Sequence, residues 1–212
     1  MLHTINPLFK ILASILFLVS CSSPKSNKIF SETINTLIEP KQIKINNKQI
    51  KSDFYDGYGW TITAISKYEI SAIIRGKENY YFGWKSHFSP IDLCLSWGKL
   101  NTSEIEKYIT YSQSNRWYYF KYKNQCTVNK NYISQHSSNN HIIPNNKNIL
   151  KAIKSTEINN KIKLNGYLVK IYGMKEKNRY WWNSSLTRND TGNGSCEVFY
   201  VTEVTYNNKI FK

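Results

Sequence analysis

The chain has 212 residues, and its 29 basic against 14 acidic side chains give a formal net charge of +15 at pH 7. A hydrophobic fraction of 41% with 15% aromatic residues is too high for a disordered chain. Only one apolar stretch, at the N-terminus, is long enough to consider as a membrane segment, so the composition predicts a folded, basic, globular protein.

The first 20 residues have the features of a secretion signal. Lys10 and the amino terminus supply positive charge, and residues 11–19 form an apolar core. This core is shorter than the about 20 residues that a membrane-spanning helix needs. It ends in Leu18-Val19-Ser20-Cys21, the pattern of a bacterial lipobox. We therefore expect cleavage after Ser20, a diacylglycerol on the Cys21 thiol and an acyl chain on the new amino group.

Lipidation of Cys21 would place the protein in the cell envelope. Two or three acyl chains hold a protein on a membrane effectively for good. Ser22, rather than an aspartate, follows the lipidated residue, which favours the outer membrane facing the periplasm in a Gram-negative cell. The expected partners are the membrane, the machinery that processes and sorts lipoproteins, and an envelope partner of unknown identity.

The mature chain is predicted to consist of a tether and one domain. Residues 21–47 form a polar tether, in which a short helix over 31–38 ends before Pro40. Residues 48–206 form a single β-rich globular domain, and residues 207–212 form a tail.

The domain is predicted to be α+β with mostly β structure. Alternating β-branched and aromatic residues predict strands over 60–65, 68–74, 116–122, 162–164, 167–172 and 197–206. Asn46-Asn47 and Asn165-Gly166 predict hairpin turns, and two short helices are predicted over 102–109 and 146–156. Short antiparallel strands with two short helices are compatible with a small, partly open barrel of OB or SH3 type.

Three segments carry a resemblance to a known family. They are residues 89–98, residues 113–118 followed by 136–144, and residues 182–197. Together they resemble an uncharacterised bacterial envelope protein family over about residues 54–205. The resemblance implies a shared fold, and it implies no activity.

Two histidines in the second segment are candidate metal ligands. His136 and His141 lie five residues apart beside Asn139. Their imidazoles could bind one zinc ion, with Cys196, Asp190 or Glu197 completing a tetrahedral set. The spacing matches neither a helical pair of zinc ligands nor a zinc finger. The alternative is that the histidines and Asn139 hydrogen-bond an irregular loop against the sheet.

The same region suggests a nucleophilic site. The Cys196 thiol could be activated by His136 or His141, with Asp190 or Asn139 orienting the imidazole. The alternative is that Cys196 is a small apolar residue that opens a strand. In an oxidising compartment, three cysteines allow one disulfide in three ways, and the sequence does not choose among Cys94, Cys126 and Cys196.

Ligand-binding candidates lie in the third segment and beside the histidines. Arg188 could bind an anionic ligand or pair with Asp190, and Trp182 could stack on a sugar or base or pack in the core. Asn139 is the third candidate. Nucleic acid is not favoured as a partner, because only four basic residues are arginines and the lysines are scattered.

These observations favour one function and leave two alternatives. The favoured function is a membrane-anchored lipoprotein with a non-catalytic envelope domain that binds or supports another envelope component. The first alternative is an envelope hydrolase that uses a His136/His141 loop with Cys196 or a metal ion. The second is a module that binds polyanions such as lipid headgroups, nucleic acid or acidic glycans.

Overall fold

The computed structural model describes residues 22–188 and 196–212. The strands in these ranges are β1 (Lys28–Ile29), β2 (Lys41–Tyr55), β3 (Tyr58–Asn79), β4 (Ile91–Ser96), β5 (Ile109–Ser114), β6 (Trp117–Tyr122), β7 (Ser137–Pro144), β8 (Lys161–Lys175), β9 (Asn178–Asn183), β10 (Glu197–Tyr206) and β11 (Lys209–Phe211). The helices are α1 (Trp84–Phe88), α2 (Ser103–Glu106), α3 (Lys130–Gln135) and α4 (Lys147–Lys154), with a 3₁₀ turn at Gly98–Asn101. The predicted signal, Cys21 and Asp190 lie outside the described residues.

Nine strands form one sheet, in the order β1-β11-β10-β7-β4-β3-β8-β9 with β2 paired to β3. Because β10 also pairs with β8, the strands β10, β7, β4, β3 and β8 close a ring of hydrogen bonds. The β7–β10 pair is parallel and the other pairs of the ring are antiparallel. Strands β5 and β6 form a separate two-stranded hairpin.

Alternation along β4 and β7 decides which side chains enter the main core. Leu93 and Ile142 pack with α4 in the largest apolar cluster. Since successive strand residues point to opposite faces, Asp92, Asn139 and His141 project from the other face of the same two strands. That face carries a second apolar cluster with many aromatic side chains, built around Trp60, Phe88, Val198 and Tyr200.

Helix α4 has both an N-terminal cap and a buried face. The Asn146 side chain accepts hydrogen bonds from the backbone N–H groups of Asn148 and Ile149, at 2.9 and 3.0 Å. Ile149 and Ile153 are fully buried against the sheet. The helix predicted over 146–156 is therefore confirmed.

The predicted β-rich α+β class is confirmed, with two refinements. The described residues contain four α-helices rather than two. The capping pattern at Thr102 predicts the short α2, whereas α1 and α3 are too short to show a helical period in the sequence. The strands are longer than predicted, since β3 alone covers the two strands expected over 60–65 and 68–74. Five strands form a hydrogen-bonded ring, and β2 and β9 continue the sheet beyond it, so the small barrel of OB or SH3 type stays a prediction.

The two predicted hairpins are wrong. Strands β2 and β8 run without a turn through Asn46-Asn47 and Asn165-Gly166. At Gly166, a β-carbon would collide with the carbonyl oxygen of Tyr200 on β10. The glycine therefore allows two strands of the ring to approach closely and does not form a turn.

The segment before β2 contacts the sheet. The backbone N–H of Asn27 donates to Ile210 at 2.7 Å, and that of Phe30 donates to Asn208 at 2.8 Å, as β1 pairs with β11. Residues 31–38 contain a turn at Thr36-Leu37 and no helix, so the short helix predicted there is wrong. None of the helices in the described ranges has the length and apolar character of a membrane-spanning segment.

Candidate functional site

A buried carboxylate lies at the centre of the candidate site. Asp92 is 0% exposed, and both of its oxygens are hydrogen-bonded. Oδ1 accepts from Arg116 Nη1 at 3.1 Å. Oδ2 accepts from Asn139 Nδ2 at 3.1 Å and from His141 Nδ1 at 2.8 Å. An anion in this position is compatible with burial because both oxygens accept hydrogen bonds and one of the donors is a guanidinium.

The register of the sheet brings two of these groups together. Asp92 on β4 lies directly opposite His141 on β7. Asn139 is two residues before His141 and therefore shares its face. Its amide oxygen accepts a hydrogen bond from Gln113 Nε2 on β5 at 2.7 Å, so the β5–β6 hairpin is fixed on the same face.

Arg116 reaches Asp92 from the turn between β5 and β6. Its φ of 68° lies in the left-handed region, which is costly for a non-glycine residue. Two hydrogen bonds hold this conformation: the Arg116 N–H donates to Tyr80 Oη at 2.9 Å, and its carbonyl accepts from Asn139 Nδ2 at 2.9 Å. The same network therefore fixes both the backbone and the charge of this residue.

The Arg116 guanidinium lies between aromatic rings. Its Cζ is 4.0 Å from the Tyr80 ring centroid and 5.3 Å from that of Trp182, and Nη2 donates to the Ser89 carbonyl at 3.0 Å. Burial lowers the pKa of Arg116 from its ordinary value, and the Asp92 carboxylate opposes this shift. Burial and the Asp92 charge raise the pKa of Tyr80. The phenol is therefore neutral at pH 7 beside the charged pair.

The tautomer of His141 follows from its partner. Since Asp92 Oδ2 can only accept, the proton of this hydrogen bond lies on His141 Nδ1. The ring centroid is 4.6 Å from that of Trp182. Asp92 bonds only Nδ1, so the other ring nitrogen, Nε2, remains for contacts in the space beside Trp182.

That space is a cavity of about 470 Å³, called here the basic cavity. Among its described lining residues are Lys85, Arg116, His141, Trp182 and Cys196, and none is an aspartate or glutamate. Lys85 Nζ is 5.0 Å from the Trp182 ring centroid. Burial and the Arg116 charge lower the pKa of Lys85 from its ordinary value, while Asp92 and Cys196 act in the opposite direction. The basic cavity therefore combines cationic groups with an aromatic face.

A larger cavity of about 750 Å³, the β6 cavity, adjoins it. Trp117 and Cys196 border both cavities. The wall of the β6 cavity includes five aromatic residues, among them Tyr118 and Phe120, and also Arg188. Burial raises the pKa of Tyr118 to about 12, although a hydrogen bond with Ser137 lowers it in part.

The structure does not bring His136 and His141 together. Five residues of extended chain span about 16 Å, and each histidine has its own carboxylate partner. His136 Nε2 lies 2.9 Å from Glu39 Oε1, its Nδ1 lies 2.9 Å from the Tyr132 carbonyl, and its ring stacks on that of Tyr132. Both of its ring nitrogens are occupied. Within the described part of the chain, no three His, Cys, Asp or Glu side chains group as a metal site requires.

Cys196 lies close to His141 in the sheet register. Glu197 pairs with Asn140, which puts Cys196 level with Asn139, two residues before His141. Both side chains border the basic cavity. Cys94 is buried, burial raises the pKa of its thiol, and neither Cys94 nor Cys126 is in a disulfide.

Arg188 is engaged inside the protein. It forms an ion pair with Glu197 and hydrogen-bonds the Tyr68 hydroxyl, and its Cζ lies 5.0 Å from the Trp97 ring centroid. The predicted partner Asp190 lies outside the described residues. Of the three predicted ligand-binding residues, Trp182 borders the basic cavity, Asn139 supports it through Asp92, and Arg188 borders the β6 cavity.

Asp92, Arg116 and Lys85 are site residues that the sequence analysis did not select. A signal was present for Asp92, which is a lone carboxylate in the apolar run Ile91-Asp92-Leu93-Cys94-Leu95. Such a residue in a buried strand requires a charged or polar partner. No comparable local signal identifies Lys85, whose role depends on a five-residue helix, α1.

Comparison with protein-family models, curated proteins and solved structures finds no match for this chain. The three segments behind the family resemblance nevertheless meet in space. The first contributes Asp92, the second Arg116 and His141, and the third Trp182 and Cys196. The resemblance itself stays a prediction.

Proposed function

We propose that the protein is a membrane-anchored envelope lipoprotein whose domain binds an anionic ligand with a ring-shaped group in the basic cavity. The observation that carries the binding site is the grouping of Lys85, Arg116 and His141 around Trp182, with no carboxylate among the described lining residues. The lipobox at Leu18-Val19-Ser20-Cys21 carries the anchor.

The chemistry of the cavity supports this ligand class. A guanidinium and an ammonium bind a carboxylate or phosphate group, and an indole face packs on the apolar face of a sugar or on an aromatic ring. A volume of about 470 Å³ lies within the range typical of small-molecule sites. The Asp92 network fixes Arg116 and His141 before a ligand arrives, which reduces the entropic cost of binding.

Glucuronate and glucose, an anionic and a neutral sugar, test whether the basic cavity prefers an anionic ligand. Quenching of tryptophan fluorescence should report glucuronate binding that is at least about tenfold tighter than that of glucose, since a charge-assisted hydrogen bond is gained. Lys85→Gln should remove most of this preference. Lys161→Gln, at the far end of β8, is the control and should preserve it. Equal affinity for the two sugars in the wild-type protein would contradict the proposed ligand class.

The anchor has its own test. Mass spectrometry of the purified protein should find Cys21 at the amino terminus with a thioether-linked diacylglycerol and an acyl chain. Cys21→Ser should change the fractionation of the protein between membrane and soluble fractions. An unmodified Met1, or identical fractionation of the variant, would exclude the anchor.

One observation favours a second candidate function, a cysteine-dependent acyl hydrolase. His141 Nδ1 is held by Asp92 at 2.8 Å, and Cys196 borders the same cavity. In that reaction His141 Nε2 takes the Cys196 proton, and the thiolate attacks the acyl carbonyl carbon. The leaving alcohol or amine takes the proton back from His141. Water then attacks the thioester, releasing the acid and restoring the thiol.

Alkylation of Cys196 by iodoacetamide separates the two candidates. If His141 acts as the base, His141→Asn should slow alkylation at pH 7 by about tenfold or more. The asparagine side chain can still donate an N–H group to Asp92, but it lacks the Nε2 atom that would act as the base. Peptide-resolved mass spectrometry distinguishes Cys196 from the half-buried Cys126. Equal rates in the variant and the wild type would reject the hydrolase.

A further inference from the structure

Helix α4 carries a row of exposed lysines. Lys147, Lys151 and Lys154 are spaced four and three residues apart and therefore share one side of the helix. All three are exposed, whereas Ile149 and Ile153 on the opposite side are fully buried. The helix therefore presents a basic face outward from the sheet.

The chain that follows Cys21 lies on this helix. The Lys151 ammonium donates to the Ser22 hydroxyl. The Lys25 backbone N–H donates to Asn148 Oδ1 at 2.7 Å, and Asn148 Nδ2 donates back to the Lys25 carbonyl at 2.9 Å. Residues 22–25 are therefore fixed beside the lysine row.

A second set of contacts ties the same segment to the last strand. Asn148 Nδ2 also donates to the Lys212 carbonyl at 3.0 Å, and the Lys212 N–H donates to Asn27 Oδ1 at 2.7 Å. The N-terminal segment, α4 and the end of β11 thus form one surface. We define its basic part, Lys25, Lys147, Lys151 and Lys154, as the lysine face.

Within the described residues, no carboxylate side chain forms an ion pair with the lysine face. The ion pairs found there include one between Lys212 and Glu203 at 3.0 Å, and none that involves Lys25, Lys147, Lys151 or Lys154. A hollow bordered by Ser22, Lys25, Lys147 and Lys151 contains no carboxylate among its described lining residues. With four lysines, the surface therefore keeps a net positive charge even beside the main-chain oxygen of Lys212.

We propose that the lysine face rests on the surface of a membrane that contains anionic lipid headgroups. The orientation depends on the proposed lipidation of Cys21. Neighbouring Cα atoms are about 3.8 Å apart, so the lipid attachment lies within about 4 Å of Ser22. Lys151, which contacts Ser22, is then within about one Debye length, roughly 8 Å, of the headgroups, and Lys147 and Lys154 lie one turn to either side.

This orientation has a consequence for the basic cavity. On β8, Ile162 pairs with Tyr206 near β11, whereas Ile171 pairs with Trp182 at the cavity. The nine residues between them span about 30 Å along the strand. A domain that rests on its lysine face would hold the cavity away from the bilayer.

Labelling of lysines in vesicles tests the proposal on the lipidated protein. The protein is reconstituted in phosphatidylcholine vesicles with or without phosphatidylglycerol, and acetylation of each lysine is followed by mass spectrometry. Lys147, Lys151 and Lys154 should react about tenfold more slowly when phosphatidylglycerol is present. The attraction of several lysines to an anionic surface keeps the lysine face against the membrane, where the reagent cannot reach it. Lys44, Lys48 and Lys51 on β2 should be unaffected.

Two triple variants of equal charge sharpen the test. Changing Lys147, Lys151 and Lys154 to Gln should abolish the protection of Lys25 by phosphatidylglycerol, whereas changing Lys44, Lys48 and Lys51 to Gln should preserve it. Circular dichroism checks that both variants fold. Equal loss in both variants, or equal labelling in both kinds of vesicle, would overturn the proposal. Failure of the protein to float with any vesicle would instead indicate that the lipid anchor is absent.

Discussion

The basic cavity and the lysine face are both positively charged, but they are constructed differently. In the cavity, Arg116 is 15% exposed in its side chain and paired with the fully buried Asp92. On the lysine face, the ammonium groups extend from an exposed side of α4. Buried, hydrogen-bonded charges are fixed in direction, whereas exposed lysines are mobile and screened by salt.

The difference suggests two kinds of recognition. Fixed donors select a ligand by the position of its acceptor atoms, because a misplaced acceptor leaves a buried donor unsatisfied. A set of solvated lysines responds to the charge density of a surface and tolerates variation in its detail. We expect this contrast to have four measurable consequences, given in order of decreasing effect.

Removal of the buried carboxylate should have the largest effect. Asp92→Ala leaves Arg116 and His141 without their partner inside the protein, which typically costs about 3–5 kcal/mol. Urea unfolding should therefore show a large loss in the free energy of unfolding. As a control, Glu106→Ala breaks the Arg75–Glu106 pair, whose acidic side chain is 40% exposed, and should cost about 1 kcal/mol or less.

A double variant checks the cause of that loss. Asp92→Leu combined with Arg116→Met removes both charges together, and apolar replacement of a buried pair is often close to neutral. The double variant should therefore be more stable than Asp92→Ala. If the double variant is no more stable than Asp92→Ala, the loss of stability arises from packing or from His141, and not from the unpaired Arg116 guanidinium.

The network around Asp92 also shows where sequence reasoning succeeds and fails. Strand β10 begins and ends where alternation along the chain predicts, and β6 differs by one residue. These elements are local, so their periodicity is visible in the sequence. Cys196, His141 and Trp182 were selected by residue type, and the structure places all three at one cavity.

The partners of these residues could not be predicted, because they depend on distant strands. The β4–β7 register places Asp92 opposite His141, and the separate β5–β6 hairpin contributes Arg116. His136 has the same residue type as His141, but the end of α3 directs it to Glu39. The pairing of a histidine is therefore set by register and helix position, which the spacing of the two residues does not encode.

The pH dependence of ligand binding is the second prediction. Because burial lowers the pKa of Lys85, its ammonium group loses the proton at a lower pH than an exposed lysine does. Affinity for glucuronate should fall by about tenfold as the pH rises through this lowered pKa, when one charged donor is lost. Fluorescence titrations across the alkaline range measure it.

A variant identifies the group responsible for that fall. In Lys85→Gln the affinity should be lower at pH 7 and should no longer decrease in the same alkaline range. Tyr118, whose pKa is about 12, titrates at a higher pH. A decrease that persists unchanged in Lys85→Gln would assign the pH dependence to another group.

The third prediction concerns the attachment of the N-terminal segment. Asn148→Ala removes the side chain that bonds both Lys25 and Lys212, at a cost of about 1 kcal/mol for exposed hydrogen bonds. Hydrogen exchange should increase in residues 22–27 and at the end of β11. Asn131→Ala, on α3, should leave exchange in that segment unchanged. Unchanged exchange in both variants would mean that β1 alone holds the segment.

The smallest change in the free energy of unfolding is expected on the lysine face, where the charged side chains are exposed. The change of Lys147, Lys151 and Lys154 to Gln removes three positive charges, yet it should alter the free energy of unfolding by no more than about 0.5 kcal/mol, since these side chains are exposed and glutamine is also a good helix former. Urea unfolding measures it. A loss close to that of Asp92→Ala would mean that these lysines hold the domain together, and the contrast with the cavity would fail. An unchanged stability with altered vesicle labelling would instead show that their charge acts outside the folded domain.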